Sequence, residues 1–290
     1  MQQRNTLRAS PPMTVTLVTM AATGALAMNI FLPSLPGMAR YFNAEYSVVQ
    51  LAVSLYLAAT AVIQLVIGPL SDRFGRRPVI VVALLIFLTS TIAAIYAPTI
   101  EVLLICRVFQ ATAAAGMVLS RAVVRDTVEH LDQAASKIGY VTMGMSLVPM
   151  IGPIIGGVLD EIYGWKSTFL VTLAFGLLAL TLVWFDLRET NLSRSSSLGA
   201  QIRAYPELLR SRRFWGYAMS SACASGAFFA FLGGGPYVAT EQLGLSPSGY
   251  AIYFGILSLG YTVGNFISGR YSGRVGVNRM MLWGNVVGLA

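Results

Sequence analysis

The residues with chemistry beyond packing stand in three places along the 290-residue chain. The first is the peptide Gly68-Pro-Leu-Ser-Asp72-Arg73-Phe-Gly75-Arg76-Arg77-Pro-Val-Ile80, where one carboxylate sits among three guanidinium groups. A carboxylate at the end of an apolar run can cap a neighbouring helix N-terminus and meet a base. Such a cluster either latches one end of a helical bundle or only records which side of a membrane the turn occupies. The second place is Arg107 with Gln110, three residues on and therefore on the same helical face. The third is Asn29 in the first apolar run, an amide that donates and accepts hydrogen bonds but cannot carry a proton.

Catalysis finds no support. A membrane-embedded enzyme needs His, Asp or Cys clustered at one membrane face, and the sequence offers no such cluster. His130 lies in a polar loop beside Glu129 and Asp132 and reads as solvated surface. Cys106 and Cys223 fall inside apolar runs without metal-ligand spacing and read as packing residues, with a disulfide between them open but unsupported. No catalytic residue and no metal is assigned.

The elements that must position these groups are membrane spans. Charged residues make up 11% of the chain and hydrophobic ones 56%, whereas a soluble domain carries about 25% charge. The charged turn separates two runs, 48–70 and 79–98, that hold no charged residue. Each is about 20 residues, enough at roughly 1.5 Å per residue to cross a core of about 30 Å. The same reading places spans at 13–35, 48–70, 78–97, 99–124, 137–159, 166–185, 214–238 and 249–269, with a ninth beginning near Arg279 and cut off at Ala290. Pro33 and Pro36 close the first, which is too long for a signal-peptide core of about 7–15 residues. The fold class is therefore all-α and polytopic. Its divisions are a tail (1–12), a six-helix bundle (13–187), a serine- and arginine-rich linker (188–213) and the start of a second bundle (214–290).

The net charge of +8 belongs to topology, since the basic residues sit in short loops. Seventeen Lys and Arg fall in loops and span ends on the side of the N-terminus, against Arg40 and Lys166 on the other. That asymmetry puts the N-terminus in the cytoplasm. Acidic lipid is the natural counter-charge, and no nucleic-acid partner is expected. The remaining cation, Arg107, lies eight residues into its span, roughly 12 Å deep. A guanidinium there costs at least about 2.5–3.5 kcal/mol, so it is expected to face a wet interior with partners rather than snorkel.

An internal echo points to two parallel halves. Ser71-Asp-Arg-Phe-Gly-Arg-Arg77 aligns with Ser272-Gly-Arg-Val-Gly-Val-Asn278 at an offset of 201, with Gly68 on Gly269 and Gln64 on Asn265. Repeats around a central site are a transporter architecture. Six spans in the first half predict six in the second, so the chain reads as part of a 12-span design.

The turn resembles the signature loop of the major facilitator superfamily, matched at Gly68, Leu70, Asp72, Arg73, Gly75, Arg76 and Arg77. Its longer form from Gln64 to Pro78, with Leu32-Pro-Ser-Leu-Pro36, resembles the Bcr/CflA branch of drug exporters. The likeness is strongest in residues 26–170. Arg107-Val-Phe-Gln110-Ala111 resembles a second family motif, with Ala111 in place of glycine. Gly139, Gly152, Pro153, Gly156 and Gly157 match the antiporter motif of the fifth span, with Val148 where glycine is usual.

The resemblance implies a latch of Asp72 and Arg76, with Asp126 as further partner, on a turn shaped by Gly68, Arg73, Gly75 and Arg77. It implies a substrate or coupling site around Asn29, Arg107, Gln110, Tyr56 and Tyr140. Gln64, Met143, Tyr217, Phe228 and Tyr261 are weaker cavity candidates. The glycines of the fifth span permit close helix approach, and Pro149 and Pro153 should bend it. Relatives carry an aspartate where this chain has Asn29, so a coupling acid would be Glu101, Asp126 or a group in helices beyond Ala290.

The implied activity is export of small hydrophobic or amphiphilic compounds, drugs among them, by alternating access in exchange for protons. It implies no cofactor beyond the proton gradient, a small-molecule substrate, a lipid bilayer as surroundings, and a monomer in the bacterial inner membrane. The same fold carrying a metabolite such as an amino acid or sugar, and a piece that does not transport, stay open as alternatives.

Overall fold

The computed structural model of the chain describes residues 11–128, 131–191, 205–246, 248–250, 252–256, 260, 263, 264, 267 and 277–289, and every regular element among them is helical. Seven helical rods have the length and hydropathy of membrane spans: Thr14–Phe42, Tyr46–Phe74, Arg76–Ile95, Ile100–Thr127, Lys137–Tyr163, Lys166–Asp186 and Arg212–Gln242. The first consists of α1 (Thr14–Asn29), a 3₁₀ turn (Leu32–Ser34) and α2 (Leu35–Phe42). The next two are α3 (Tyr46–Phe74) and α4 (Arg76–Ile95), joined by Gly75 alone. In the fourth, a 3₁₀ turn at Ala111–Ala113 links α5 (Ile100–Gln110) to α6 (Ala114–Thr127). Helices α7 (Leu131–Tyr163) and α8 (Lys166–Asp186) complete the first bundle. A short α9 (Tyr205–Arg210) precedes α10 (Arg212–Tyr237), which runs into a π-helical turn at Val238–Gln242, and α11 is Val277–Leu289. We term the end of the bundle that bears Gly75 the turn face and the opposite end the far face.

Pro33 and Pro36 do not close the first span as the sequence reading has it. Each sits in the first turn of a short helix, where its missing N–H would have no partner anyway. The rod breaks at residues 30–31, resumes, and ends at Asn43, which takes the left-handed conformation with φ of 49°. Arg40 therefore stands on α2 rather than in a free loop. The fifth span is longer than expected, reaching Tyr163 as one helix through Pro149 and Pro153. The eighth expected span lies mostly outside the described residues, although 248–250 and 252–256 are helical. Residues 192–204 of the linker, His130, Tyr261 and the second copy of the turn at 268–276 also lie outside them. Helix α11 occupies the place read as the ninth span.

Helix α1 is the most enclosed of the rods and packs against α6, α7 and α8. Small residues let it be so. A Cβ on Gly116 of α6 would drive into the Met20 carbonyl, and one on Gly156 of α7 into the Ile30 carbonyl. Around this axis lie two apolar clusters. One, toward the far face, centres on Phe31, Leu35, Phe87, Leu103 and Phe169; the other, toward the turn face, on Leu17, Met20, Ile80, Leu119 and Val183. The start of α1 is tied to the end of α8, where Asp186 Oδ2 accepts from the Met13 N–H (2.8 Å) and the Thr16 hydroxyl (2.6 Å). The Met13 N–H is one of the unpaired backbone donors of a helix start, so a carboxylate from another helix is a fitting cap, and the Thr16 hydroxyl holds it in place.

Candidate functional site

The turn folds around Gly75, whose φ of 103° is a conformation L side chains rarely adopt. It lets α3 end and α4 begin with no intervening loop. The N-terminus of α4 then meets Glu189, whose carboxylate accepts from the backbone N–H of Arg76 (2.9 Å) and of Arg77 (3.3 Å). Asn191 fixes that carboxylate with its own N–H (2.9 Å) and donates its side-chain amide to the Asp72 carbonyl (3.0 Å). Residues 189–191 thus strap the turn from the far end of the bundle's sequence. Sequence reasoning placed Glu189 in a linker and gave it no role; three residues past the last apolar position of α8, it carries no local signal.

Within this frame Arg76 gathers the acids. Its Nη1 lies 2.6 Å from Asp72 Oδ1 and its Nε 3.0 Å from Asp126 Oδ2, and it also donates to the Ser71 hydroxyl. The Thr190 hydroxyl donates to the same Asp126 oxygen at 3.4 Å. The three side chains of the implied latch are therefore in one cluster, between a quarter and an eighth exposed. Its neighbours in the motif stand apart from it. Arg73 is exposed and stacks on Phe74, while Arg77 stacks on Trp184 and donates to that residue's carbonyl (3.0 Å). A Cβ on Gly68 would meet nothing within 4 Å.

Arg107 is 1% exposed and does not face a wet interior. Its Nε donates to the Ala52 carbonyl (3.2 Å), and its Nη1 to the Ala27 carbonyl (3.0 Å) and Gln110 Oε1 (2.7 Å). The rings of Phe31 and Tyr56 lie against the guanidinium at 4.2 and 4.4 Å. The break in the first span explains this dry arrangement. Ala27 is among the last carbonyls of α1, which have no partner within their helix, and the arginine takes one of them. Gln110 passes its amide to the Thr91 hydroxyl (2.9 Å), so α1, α3, α4 and α5 are joined through one polar chain. Asn29 is not part of it. Its Nδ2 donates to the Ala25 carbonyl (2.7 Å), and its buried Oδ1 accepts no hydrogen bond from the described residues.

A cavity of about 600 Å³ lies between the first bundle and α10. Asn29, Tyr56, Thr60, Arg121, Pro149 and Phe228 are among its lining residues. Tyr56 reaches its rim with the hydroxyl donated to the Gly24 carbonyl (2.9 Å). Of the other candidates, Tyr140, Met143 and Tyr217 are exposed on α7 and α10 and do not line it. Gln64 contacts Met117 rather than the cavity. Glu101 is exposed at the far end of α5. Arg121, one of the seventeen cations that the sequence reading assigns to the loops and span ends of the N-terminal side, is a wall residue.

The antiporter glycines divide by location. Gly156 presses on the Ile30 carbonyl, Gly152 faces the Asn29–Ile30 corner with room for a Cβ at ordinary contact distance, and Gly157 and Pro153 are buried beside them, but a Cβ on Gly139 would meet nothing within 4 Å. Cys106 and Cys223 are both free thiols. No group of His, Cys, Asp and Glu that could hold a metal occurs among the described residues.

At the far face, α10 is clasped to the first bundle. Arg40 Nη1 meets Glu241 Oε1 at 2.7 Å, and the Tyr46 hydroxyl donates to the Gly233 carbonyl at 2.7 Å, with the Tyr46 and Tyr237 rings 4.7 Å apart.

A family model described as Major Facilitator Superfamily matches residues 17–290. The uncharacterised MFS-type transporter YdgK of Bacillus subtilis (strain 168) is 35% identical over 262 residues, covering 88% of this chain and 64% of that protein. A chloramphenicol resistance protein of Pseudomonas aeruginosa is 29% identical, over 87% of this chain and 59% of that one. Multidrug resistance protein D of Escherichia coli (strain K12) is 35% identical over 158 residues, 54% of this chain and 40% of that one. The chain thus spans about three-fifths of the length of the first curated relatives it matches. Among solved structures, a bacterial homologue of the human lysosomal transporter Spinster, inward-facing and unoccupied, superposes with a TM-score of 0.72 at 18% identity. It covers 90% of this chain and 63% of that one.

Proposed function

The chain belongs to the major facilitator superfamily, and from that premise we propose that it serves a secondary transporter exporting small hydrophobic or amphiphilic compounds in exchange for protons. The observation that carries the reading is the cavity between the first bundle and α10, whose walls are chiefly apolar with a few polar groups. That is the character of a small-molecule site. Relatives named chloramphenicol resistance protein, multidrug resistance protein D and multidrug transporter MdfA support the same substrate class.

In this reading the cavity is reached alternately from the two faces. The Asp72–Arg76–Asp126 cluster belongs to the turn face, which in this reading is the cytoplasmic side of a bacterial inner membrane; the excess of basic residues on that side supports the orientation. The Arg40–Glu241 and Tyr46–Gly233 contacts belong to the outer face. Two sets of polar contacts at opposite ends, broken in turn, give a two-state rocking element. Arg107 holds α1, α3 and α5 together as one body during that motion.

The test is efflux from bacterial cells producing the complete protein, across a panel of neutral, anionic and cationic drugs and a panel of amino acids and sugars. The expected result is reduced accumulation of amphiphilic drugs that a protonophore abolishes. Movement of a metabolite alone, or efflux indifferent to the proton gradient, overturns it.

A further inference from the structure

Among the described residues that line the cavity, Arg121 is the one with a charged side chain. It stands six residues before the end of α6, about 9 Å along the helix axis. An arginine inside a span normally finds a carboxylate or backbone carbonyls, as Arg76 and Arg107 do in this chain. Arg121 does not. Its side chain is exposed and forms no hydrogen bond or ion pair with a described residue; Arg125 donates to its backbone carbonyl only.

Two further polar atoms at the same cavity are unpaired. Asn29 is 4% exposed, and its Oδ1 accepts nothing from the described residues. The Thr60 hydroxyl is buried without a partner as well. A buried amide oxygen left unpaired is costly, on the order of 1–3 kcal/mol, and a bound molecule that donates to it removes that cost. Thr142 and Ser225 add hydroxyl groups, and the rest of the wall, including Met28, Met117, Met145, Phe228 and Phe229, is chiefly apolar and adaptable in shape. The cavity therefore offers an apolar body site, the unpaired Asn29 amide oxygen as acceptor, threonine and serine hydroxyls, and one positive charge that no described residue neutralises.

Resting on the reading that this cavity receives the transported compound, we propose that it selects by charge. Its preferred ligand is an amphiphile whose carboxylate or sulfonate sits on Arg121, while an N–H or O–H of the ligand meets Asn29. An anion gains a charge-assisted, bidentate contact with the guanidinium. A cation placed in the same cavity meets an unscreened like charge and no acid among the described lining residues, so rejection is built in alongside attraction. Arg121 is thus the specificity-determining residue of the site.

The experiment measures binding to the purified complete protein in detergent. Three dansyl-labelled undecyl probes are compared, ending in a carboxylate, an uncharged amide and a trimethylammonium group. The carboxylate is expected to bind about tenfold or more tightly than the ammonium, equivalent to about 1.4 kcal/mol. Arg121→Gln should bring the ratio close to one, Arg121→Lys should keep most of it, and Arg121→Glu should invert it. Equal binding of the charged probes by the wild type, or a preference that survives Arg121→Gln, overturns the proposal. Should Arg121→Gln fail to give a monodisperse protein, the wild-type ratio and the Arg121→Glu inversion decide. Efflux of the same probes is measured separately. A binding preference without efflux leaves the site standing and refutes the transport reading, whereas efflux that favours the ammonium probe leaves transport standing and refutes the charge selection.

Discussion

Arg40 and Glu241 meet at 2.7 Å across the far face, and they are 201 residues apart, the same offset that relates the two copies of the charged turn. By the offset that the sequence reading gives the two halves, these are corresponding positions, a base in one and an acid in the other. In the rocking motion proposed above, such a contact lies where the halves would turn about each other, so labelling at that face reports on the motion. Both side chains are well exposed, 69% and 42%, so the pair itself contributes no more than about 1 kcal/mol. Arg40→Glu should leave the melting temperature nearly unchanged. It should raise labelling, from the far face, of a cysteine placed at Ser225 in a Cys223→Ser background. Adding Glu241→Arg should bring labelling back down. If the double reversal labels like the single variant, the pair does not hold that face.

The turn depends on a glycine for two independent reasons. Gly75→Ala forces a φ of 103° on an alanine and drives its Cβ into the Glu189 carboxylate. The backbone term alone is about 1–2 kcal/mol. Glu189→Ala removes a helix-start acceptor worth about 1 kcal/mol. Because the two residues touch, the double variant should fall short of the sum of the single effects. Thermal melts of the three variants check this; strict additivity would show that Glu189 does not press on the turn.

Arg107 separates structure from function. Arg107→Lys keeps a buried charge but cannot reach Ala27, Ala52 and Gln110 together, so it should be the less stable variant, by about 3 kcal/mol. Arg107→Met removes the charge and keeps the volume, which often costs little at a buried site. We expect Arg107→Met to insert and fold, and to lose transport because the joint between α1 and α3 is gone. Efflux at the wild-type rate from Arg107→Met would end any role for the guanidinium in the cycle.

Long apolar runs made the spans legible, because hydropathy over about 20 residues is a statement about the bilayer that no local detail overrides. The cluster of Asp72, Arg76 and Asp126 was legible through its motif. Long-range placements were not. Nothing near Glu189 shows that it folds back onto α4. A count of cations cannot tell Arg121, on a cavity wall, from Arg125 at a helix end. The dry setting of Arg107 follows from a carbonyl released where α1 breaks. Pro33 and Pro36 mark that neighbourhood, but read as terminators they concealed that the rod goes on to Phe42.

The antiporter motif makes the last prediction, since its glycines are not equivalent. Gly156 faces the Ile30 carbonyl so closely that a Cβ cannot be accommodated by rotating a side chain; the backbone of α1 or α7 must move. Gly139, on the same helix, has open space where its Cβ would be. Alanine is also the better helix former, by about 1 kcal/mol. Gly139→Ala should therefore be neutral or slightly stabilising in a thermal melt. Gly156→Ala should lower the melting temperature and, by shifting the Asn29–Ile30 corner, weaken binding of the carboxylate probe at least severalfold. Equal tolerance of the two substitutions would show that α1 and α7 do not pack this closely, and the placement of Asn29 on the cavity wall would fall with it.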